Sequence, residues 1–212
     1  MKIAVVGMGY VGLSNAVMLS QNNEVSVLEI SNKKVNMLNQ GKSPIEDALI
    51  SKFLTEKSLK ISSTTNPYDA FYEASFIIIC TPTNFIEHKN SFCTQSIDEV
   101  IKNIDEQGFN GLIIIRSTVP IGYTQQIQEK YKDLSIAFIP EFLREGSALQ
   151  DSLNPSRIIC GSSSKLAIDF LELLKSSGLK KDTPILLTGP SEAEAIKLFS
   201  NSYLALRLAF FN

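Results

Sequence analysis

An α/β fold built on a doubly wound, mostly parallel sheet is predicted by three features of the 212-residue sequence. Short β-branched runs alternate with amphipathic stretches from the first residue onward, the pattern of strand–helix–strand units. Central runs such as 76–80 and 112–115 are apolar at every position, as strands covered on both faces must be. A glycine-rich turn joins the first run to the first amphipathic stretch.

In chain order, residues 2–6, 24–29, 59–62, 75–80, 111–115 and 135–138 read as strands, with helical stretches such as 11–20, 31–39 and 96–106 between them. Two further strands are expected at 157–160 and 184–188. From 191 to 212 the pattern is helical again, with Ser191 suited to the N-cap and Glu192 and Glu194 to the first turn, where the helix dipole favours acids. Ile196, Phe199, Tyr203, Leu206 and Phe210 follow at spacings of three or four. No Gly, Pro or cationic last turn closes this helix, so it is expected to be the start of a longer one. The chain therefore divides into a domain at 1–188 and a helix at 189–212.

With 44% hydrophobic residues and a formal charge of −2, the chain can bury a core and carries no basic footprint for nucleic acid or acidic membranes. Its apolar runs are strand-sized, and Met1 leads straight into a strand without signal-peptide features, so the cytoplasm is the expected compartment. Cys80, Cys93 and Cys160 lack metal-ligand or disulfide-framework spacing, and no metal is expected. His88 sits in a polar stretch and is expected at the surface.

Gly7, Met8, Gly9, Tyr10, Val11 and Gly12 follow the first strand and open the first helix, a Rossmann-type dinucleotide fingerprint. Gly7 permits the tight turn, Gly9 lets backbone approach a pyrophosphate, and Gly12 allows close packing of helix on strand. A lone motif of this kind is weak, but Glu29 stands 29 − 9 = 20 residues past Gly9, where a carboxylate accepts from ribose hydroxyls. That acid would repel a 2′-phosphate, so NAD is expected rather than NADP. Thr81, Pro82 and Thr83 end the fourth strand, and Ser117 and Thr118 end the fifth; both segments fall on the sheet edge that borders the ligand crevice.

The opening KIAVVGMGYVGLS, SPIED at 43–47, CTPTN at 80–84, RSTVPIGYT at 116–124, PEFLREGSAL at 140–149, PSRII at 155–159 and EAIKLFSNSYLALRLAFFN at 194–212 together resemble the UDP-glucose/GDP-mannose dehydrogenase family. They occur in the family's order across the whole chain, and the last two are nearest its short bacterial UDP-glucose members. The resemblance implies NAD-dependent oxidation of UDP-glucose at C6 to UDP-glucuronate, in two hydride transfers through a cysteine-bound thioester, by a homodimer joined through the central helix. It places Val11, Lys34, Thr83, Thr118 and Glu145 against NAD and Phe142, Leu143 and Arg144 against the substrate. Thr118 and a nearby carboxylate would manage the water that cleaves the thioester. Glu141 and Glu145, four apart, would face one site if their segment turned helically. Lys197 and Asn201, also four apart, would stabilise charge at the C6 oxygen and so count as both catalytic and substrate-binding.

The family's nucleophile belongs to a later glycine-rich segment of the type GGYCLPKD, which these 212 residues lack, as they lack the UDP-binding domain. Cys80 and Cys160 end apolar runs, none of the three cysteines has an electropositive setting, and this chain alone is expected not to turn over. Two alternatives stay open: a related dehydrogenase of GDP-mannose or a UDP-N-acetyl-hexosamine, or an NAD-binding module without catalysis.

Overall fold

The computed structural model describes residues 1–87, 91–178, 180 and 182–212. Six strands, β1 (Lys2–Val6), β2 (Glu24–Leu28), β3 (Ile61–Thr64), β4 (Phe76–Ile79), β7 (Leu112–Ile115) and β8 (Ser135–Phe138), form one sheet in the order β3-β2-β1-β4-β7-β8. Every pair in it is parallel. The chain thus leaves β1 in one direction through β2 and β3, then returns to the other side of β1 with β4. That reversal opens a crevice beyond the carboxyl ends of β1 and β4, the usual ligand position in a doubly wound sheet.

The all-apolar strands are explained by a core on each face. Ile3, Val5, Ile78 and Ile114 pack with Leu13 and Val17 of α1 (Tyr10–Ser20) and Phe170 of α8 (Lys165–Ser176). Their neighbours Ala4, Ile77, Ile79 and Ile115 pack on the other face with Ile97, Ile101 and Ile104 of α5 (Gln95–Glu106). Successive residues of a strand point to opposite faces, so a strand serving two cores has no polar position to spare.

The two further strands are present as a separate parallel pair, β9 (Ile158–Cys160) and β10 (Ile185–Leu187), held against the sheet edge where the Gly161 N–H donates to the Phe138 carbonyl, 2.8 Å. The third strand begins two residues later than 59–62 predicts, because Leu59 turns back to bond the Lys57 carbonyl, 3.1 Å. A short antiparallel pair of β5 (Phe85–Ile86) and β6 (Ser91–Phe92), with an edge-on Phe85–Phe92 ring contact, has no counterpart among the strands expected from the sequence. The expectation for His88 lies outside the described residues.

The remaining helices are α2 (Asn32–Asn39), α3 (Ala48–Glu56), α4 (Pro67–Phe71), α6 (Tyr123–Lys130), α7 (Ala148–Leu153) and α9 (Pro190–Phe211). Ser191 is not the cap of α9: Pro190 occupies the first helical position and Gly189 the cap, because proline's fixed φ suits a first turn whose N–H groups are unpaired anyway. Residues 201–211 of α9 and the Asn212 that follows are exposed throughout, including Phe210 at 80%. No helix among the described residues is long and apolar enough to cross a membrane.

Candidate functional site

The three glycines of the turn do three different things. Gly7 has φ +97°, and a Cβ there would stand 2.7 Å from the Cys80 carbonyl oxygen, against the start of the neighbouring loop. A Cβ on Gly12 would fall 1.9 Å from the Gly7 carbonyl oxygen. Gly7 and Gly12 therefore serve the fold. A Cβ on Gly9 would meet nothing within 4 Å. Gly9 is the N-cap of α1, gives it no side-chain cap, and no acid stands in the first turn. Free N–H groups at a helix N-terminus beside an open volume suit a pyrophosphate. Tyr10 and Val11, both half-buried, open the helix beside that volume.

Glu29 lies just past β2, buried, and its carboxylate accepts from the Met8 N–H at 3.0 Å and the Ser31 N–H at 3.1 Å. These bonds fix it beside the glycine turn and leave lone pairs for a diol, since a carboxylate can accept about four hydrogen bonds. The Lys34 ammonium stands 3.8 Å from the same carboxylate and 3.5 Å from the Met8 carbonyl. Glu29, Lys34 and the turn thus form one cluster.

The loops after β4 and β7 are also joined. Ser117 donates to the Thr81 carbonyl at 2.7 Å, and Ser96 donates to the Pro82 carbonyl at 3.0 Å while its oxygen lies 3.0 Å from the Thr81 hydroxyl, which can donate to it. Thr83 and Thr118 are half-buried in these two loops. Tyr123 donates to Asp98 at 2.7 Å, which ties α6 to α5; burial, then this bond, pushes the phenol up.

The segment after β8 departs from expectation. Residues 141–144 are irregular and a turn follows at 145–146, so the helical condition under which Glu141 and Glu145 would share a face is not met. Glu141 faces inward and accepts the Leu143 N–H at 2.9 Å, a local bond that competes with helix. Glu145 is exposed in the turn. Arg144 is exposed and doubly bonded to Asp151, 2.7 and 3.1 Å, and this pairing holds the Asp151 carboxyl below its ordinary range.

Lys197 is buried: its ammonium donates to the Glu141 carbonyl, stands 3.5 Å from the Glu141 carboxylate and 5.1 Å from the centre of the Phe142 ring. Arg157 covers that ring as well, 4.9 Å from its centre. Asn201, one turn further on, is exposed. The structure thus brings Glu141, Phe142 and Lys197 together and leaves Arg144, Glu145 and Asn201 at the surface. A cleft of about 280 Å³ is lined by Glu141, Phe142, Leu143 and Arg144 with Arg116 and Arg157.

Four residues near these clusters are given no site role by the sequence reading. Arg116 is buried with no partner for its Nε, and burial pulls the guanidinium below its ordinary value; a charge closing the run Leu-Ile-Ile-Ile was the available signal. Asn15, fully buried in α1, lines the same cleft with its Oδ1 unpartnered. Ile30 is 94% exposed next to the buried Glu29, an unusual position for a large apolar side chain. Glu194 reads as a first-turn acid of α9, yet it is buried and serves another helix: it accepts from the Gly122 N–H at 2.6 Å and from the Thr124 N–H and hydroxyl at 2.8 and 2.6 Å.

Cys80 and Cys160 pack with the core. Burial, partly countered by the Arg116 charge, pushes the Cys80 thiol up to about 12, and burial raises Cys160 as well. Among the described residues no group of three or more His, Cys, Asp or Glu could hold a metal ion.

Residues 1–176 match the NAD binding domain of the UDP-glucose/GDP-mannose dehydrogenase family. The whole chain aligns with a UDP-glucose 6-dehydrogenase of Campylobacter jejuni at 48% identity and with one of Streptococcus pneumoniae at 44%, covering 54% and 55% of those proteins. Among solved structures, a UDP-glucose dehydrogenase from Pyrobaculum islandicum superposes with a TM-score of 0.87 at 28% identity. A GDP-mannose dehydrogenase from Pseudomonas aeruginosa does so at 0.86 and 28%. Each superposition covers 99% of this chain and 51% of the other. The chain spans about half the length of the curated relatives it matches.

Proposed function

The chain belongs to the UDP-glucose/GDP-mannose dehydrogenase family, and from that premise we propose that it supplies the NAD-binding part of an enzyme oxidising UDP-glucose at C6 to UDP-glucuronate. One observation carries the cofactor reading: the open volume at Gly9 stands beside a buried Glu29 whose carboxylate is already oriented by two backbone N–H groups. The identities of 48% and 44% to two bacterial UDP-glucose 6-dehydrogenases support the choice of substrate.

The residues present fit NAD. The α1 N–H groups would bind its pyrophosphate, Glu29 its adenosine diol, Lys34 the rim of the same cluster, and Ile30 would offer an apolar face to the adenine. Thr81, Pro82, Thr83, Ser117 and Thr118 would line the far end of the crevice. When bound, NAD takes up the hydride released from C6 in each oxidation. Lys197 would stabilise negative charge developing on the C6 oxygen; the Glu141 carboxylate beside it both orients the ammonium and can accept a proton from a bound water or hydroxyl. Glu145 and Asn201, exposed here, would join this group only from the rim, as would the backbone of Phe142, Leu143 and Arg144 on the substrate side.

The second oxidation needs a thiolate, and Cys80, its thiol held near 12, is unsuited to that role. The family resemblance implies a cysteine of a later glycine-rich segment for this role, and the nucleophile is assigned there. Exposed Phe199, Tyr203, Leu206, Phe210 and Phe211 on α9 support a homodimer formed through this helix. Calorimetric titration with NAD and absorbance at 340 nm with UDP-glucose test the proposal together. NAD should bind and no sustained NADH formation should appear. A chain that does not bind NAD would overturn the cofactor reading, and sustained turnover would overturn the assignment of the nucleophile.

A further inference from the structure

We propose that Glu194 is a positioning residue whose buried carboxylate, carried on α9, caps α6 and so holds the Thr118 loop in register with Lys197. This rests on the reading of Thr118 as a contact of NAD. The Gly122 cap of α6 has no side chain to offer, and no acid stands in the first turn of that helix. Its leading N–H groups are satisfied instead from across the fold, by a carboxylate 70 to 72 residues away in sequence. A buried carboxylate is costly unless donors surround it, and here three donors and the positive end of a helix do so.

The consequence is geometric. The loop from Arg116 to Gly122, which carries Thr118, is pinned at one end by the Ser117–Thr81 bond and at the other by Glu194. Three residues beyond Glu194, Lys197 reaches the Glu141 carbonyl and carboxylate. Two buried charges of opposite sign, less than one turn apart on α9, therefore fix the loops after β7 and β8 relative to each other. A residue serving only to stabilise α6 would not need to stand on the helix that also carries Lys197.

A double-mutant cycle on the NAD dissociation constant tests this, with Thr118→Ala, Glu194→Gln and their combination in this chain, and the melting temperature recorded for each. Glu194→Gln keeps the shape but turns an amide N–H₂ toward N–H donors. It should weaken NAD binding roughly tenfold, the scale of one displaced polar contact. Because Glu194 acts through the Thr118 loop, the double variant should bind no worse than about twofold from the weaker single variant, a strong departure from additivity. An additive double variant, or a Glu194→Gln chain that melts earlier but binds NAD normally, overturns the proposal alone. Normal binding by Thr118→Ala overturns the Thr118 reading and the proposal with it. Should Glu194→Gln fail to fold, Glu194→Asp, which keeps the charge but is one methylene shorter, takes its place in the cycle: non-additive loss of NAD affinity supports the proposal, and additive loss or normal binding overturns it.

Discussion

Replacing Gly9 by alanine separates a glycine kept for the fold from one kept for a ligand. The added Cβ meets no protein atom within 4 Å, and the backbone at this cap, φ −89° and ψ −170°, is open to any residue. Alanine is poorer than glycine at an N-cap by up to about 1 kcal/mol, and it regains roughly 0.4–1 kcal/mol by restricting the unfolded chain. The two nearly cancel, so the melting temperature should move by no more than about 3 °C. Binding should respond otherwise. If a pyrophosphate oxygen takes the space over this turn, the methyl displaces it and weakens a charge-assisted hydrogen bond of roughly 1.5–3 kcal/mol. The NAD dissociation constant should then rise about 10- to 100-fold. Gly12→Ala is the contrast: its Cβ would lie 1.9 Å from the Gly7 carbonyl, so the fold itself must give and melting should fall by many degrees. Calorimetric titration and thermal melting on the two variants decide the matter. A Gly9→Ala chain that binds NAD as the unaltered one does would refute the placement of the pyrophosphate.

Cys80 should resist alkylation at pH 8 in the native chain and react once the chain is denatured; rapid native labelling would contradict a thiol held near 12. The thiol is raised from 9.0 to about 12 in the folded state, so the unfolded chain loses this proton first and stability should decline as pH rises from 9 toward 12. A Cys80→Ala chain should show a shallower decline in urea melts over that range. Lys197→Met should leave NAD affinity within about twofold, while stripping Glu141 of its cation should cost roughly 1–3 kcal/mol of stability; a large loss of NAD affinity would place Lys197 in the cofactor site instead. The unaltered chain should self-associate through α9 in sedimentation experiments, and Leu206→Glu should yield monomer, whereas a monomeric unaltered chain would remove the support for a dimer.

The sheet was legible because strands covered on two faces must be continuously apolar, which marks β1, β4 and β7 without reference to neighbours. The Gly7–Gly12 turn and Glu29 were legible because their spacing is set by one strand–helix–strand unit, whose contacts are local. Glu141, Lys197 and Glu194 were less so: their partners lie 56 to 72 residues away, and no local pattern states that a helix lysine is buried or that an acid of one helix caps another. The segment at 141–145 differs from expectation for a similar reason. Four-residue spacing suggests a helix, but Glu141 bonding the Leu143 N–H and Asp151 bonding Arg144 hold an irregular loop. The start of α9 follows Pro190 rather than Ser191 because φ restriction outranks side-chain capping.

The role of Glu29 in an NAD site is tested most directly by the ratio of NADP to NAD dissociation constants, measured for the unaltered chain and for Glu29→Ala. With the carboxylate fixed by Met8 and Ser31, the unaltered chain should bind NAD far more tightly, because a 2′-phosphate both loses the diol contact and meets a buried negative charge. In Glu29→Ala the NAD constant should rise and the ratio should fall by on the order of tenfold or more, helped by the ammonium of Lys34 left without its partner. A ratio unchanged by the substitution, or tighter binding of NADP by the unaltered chain, would contradict it.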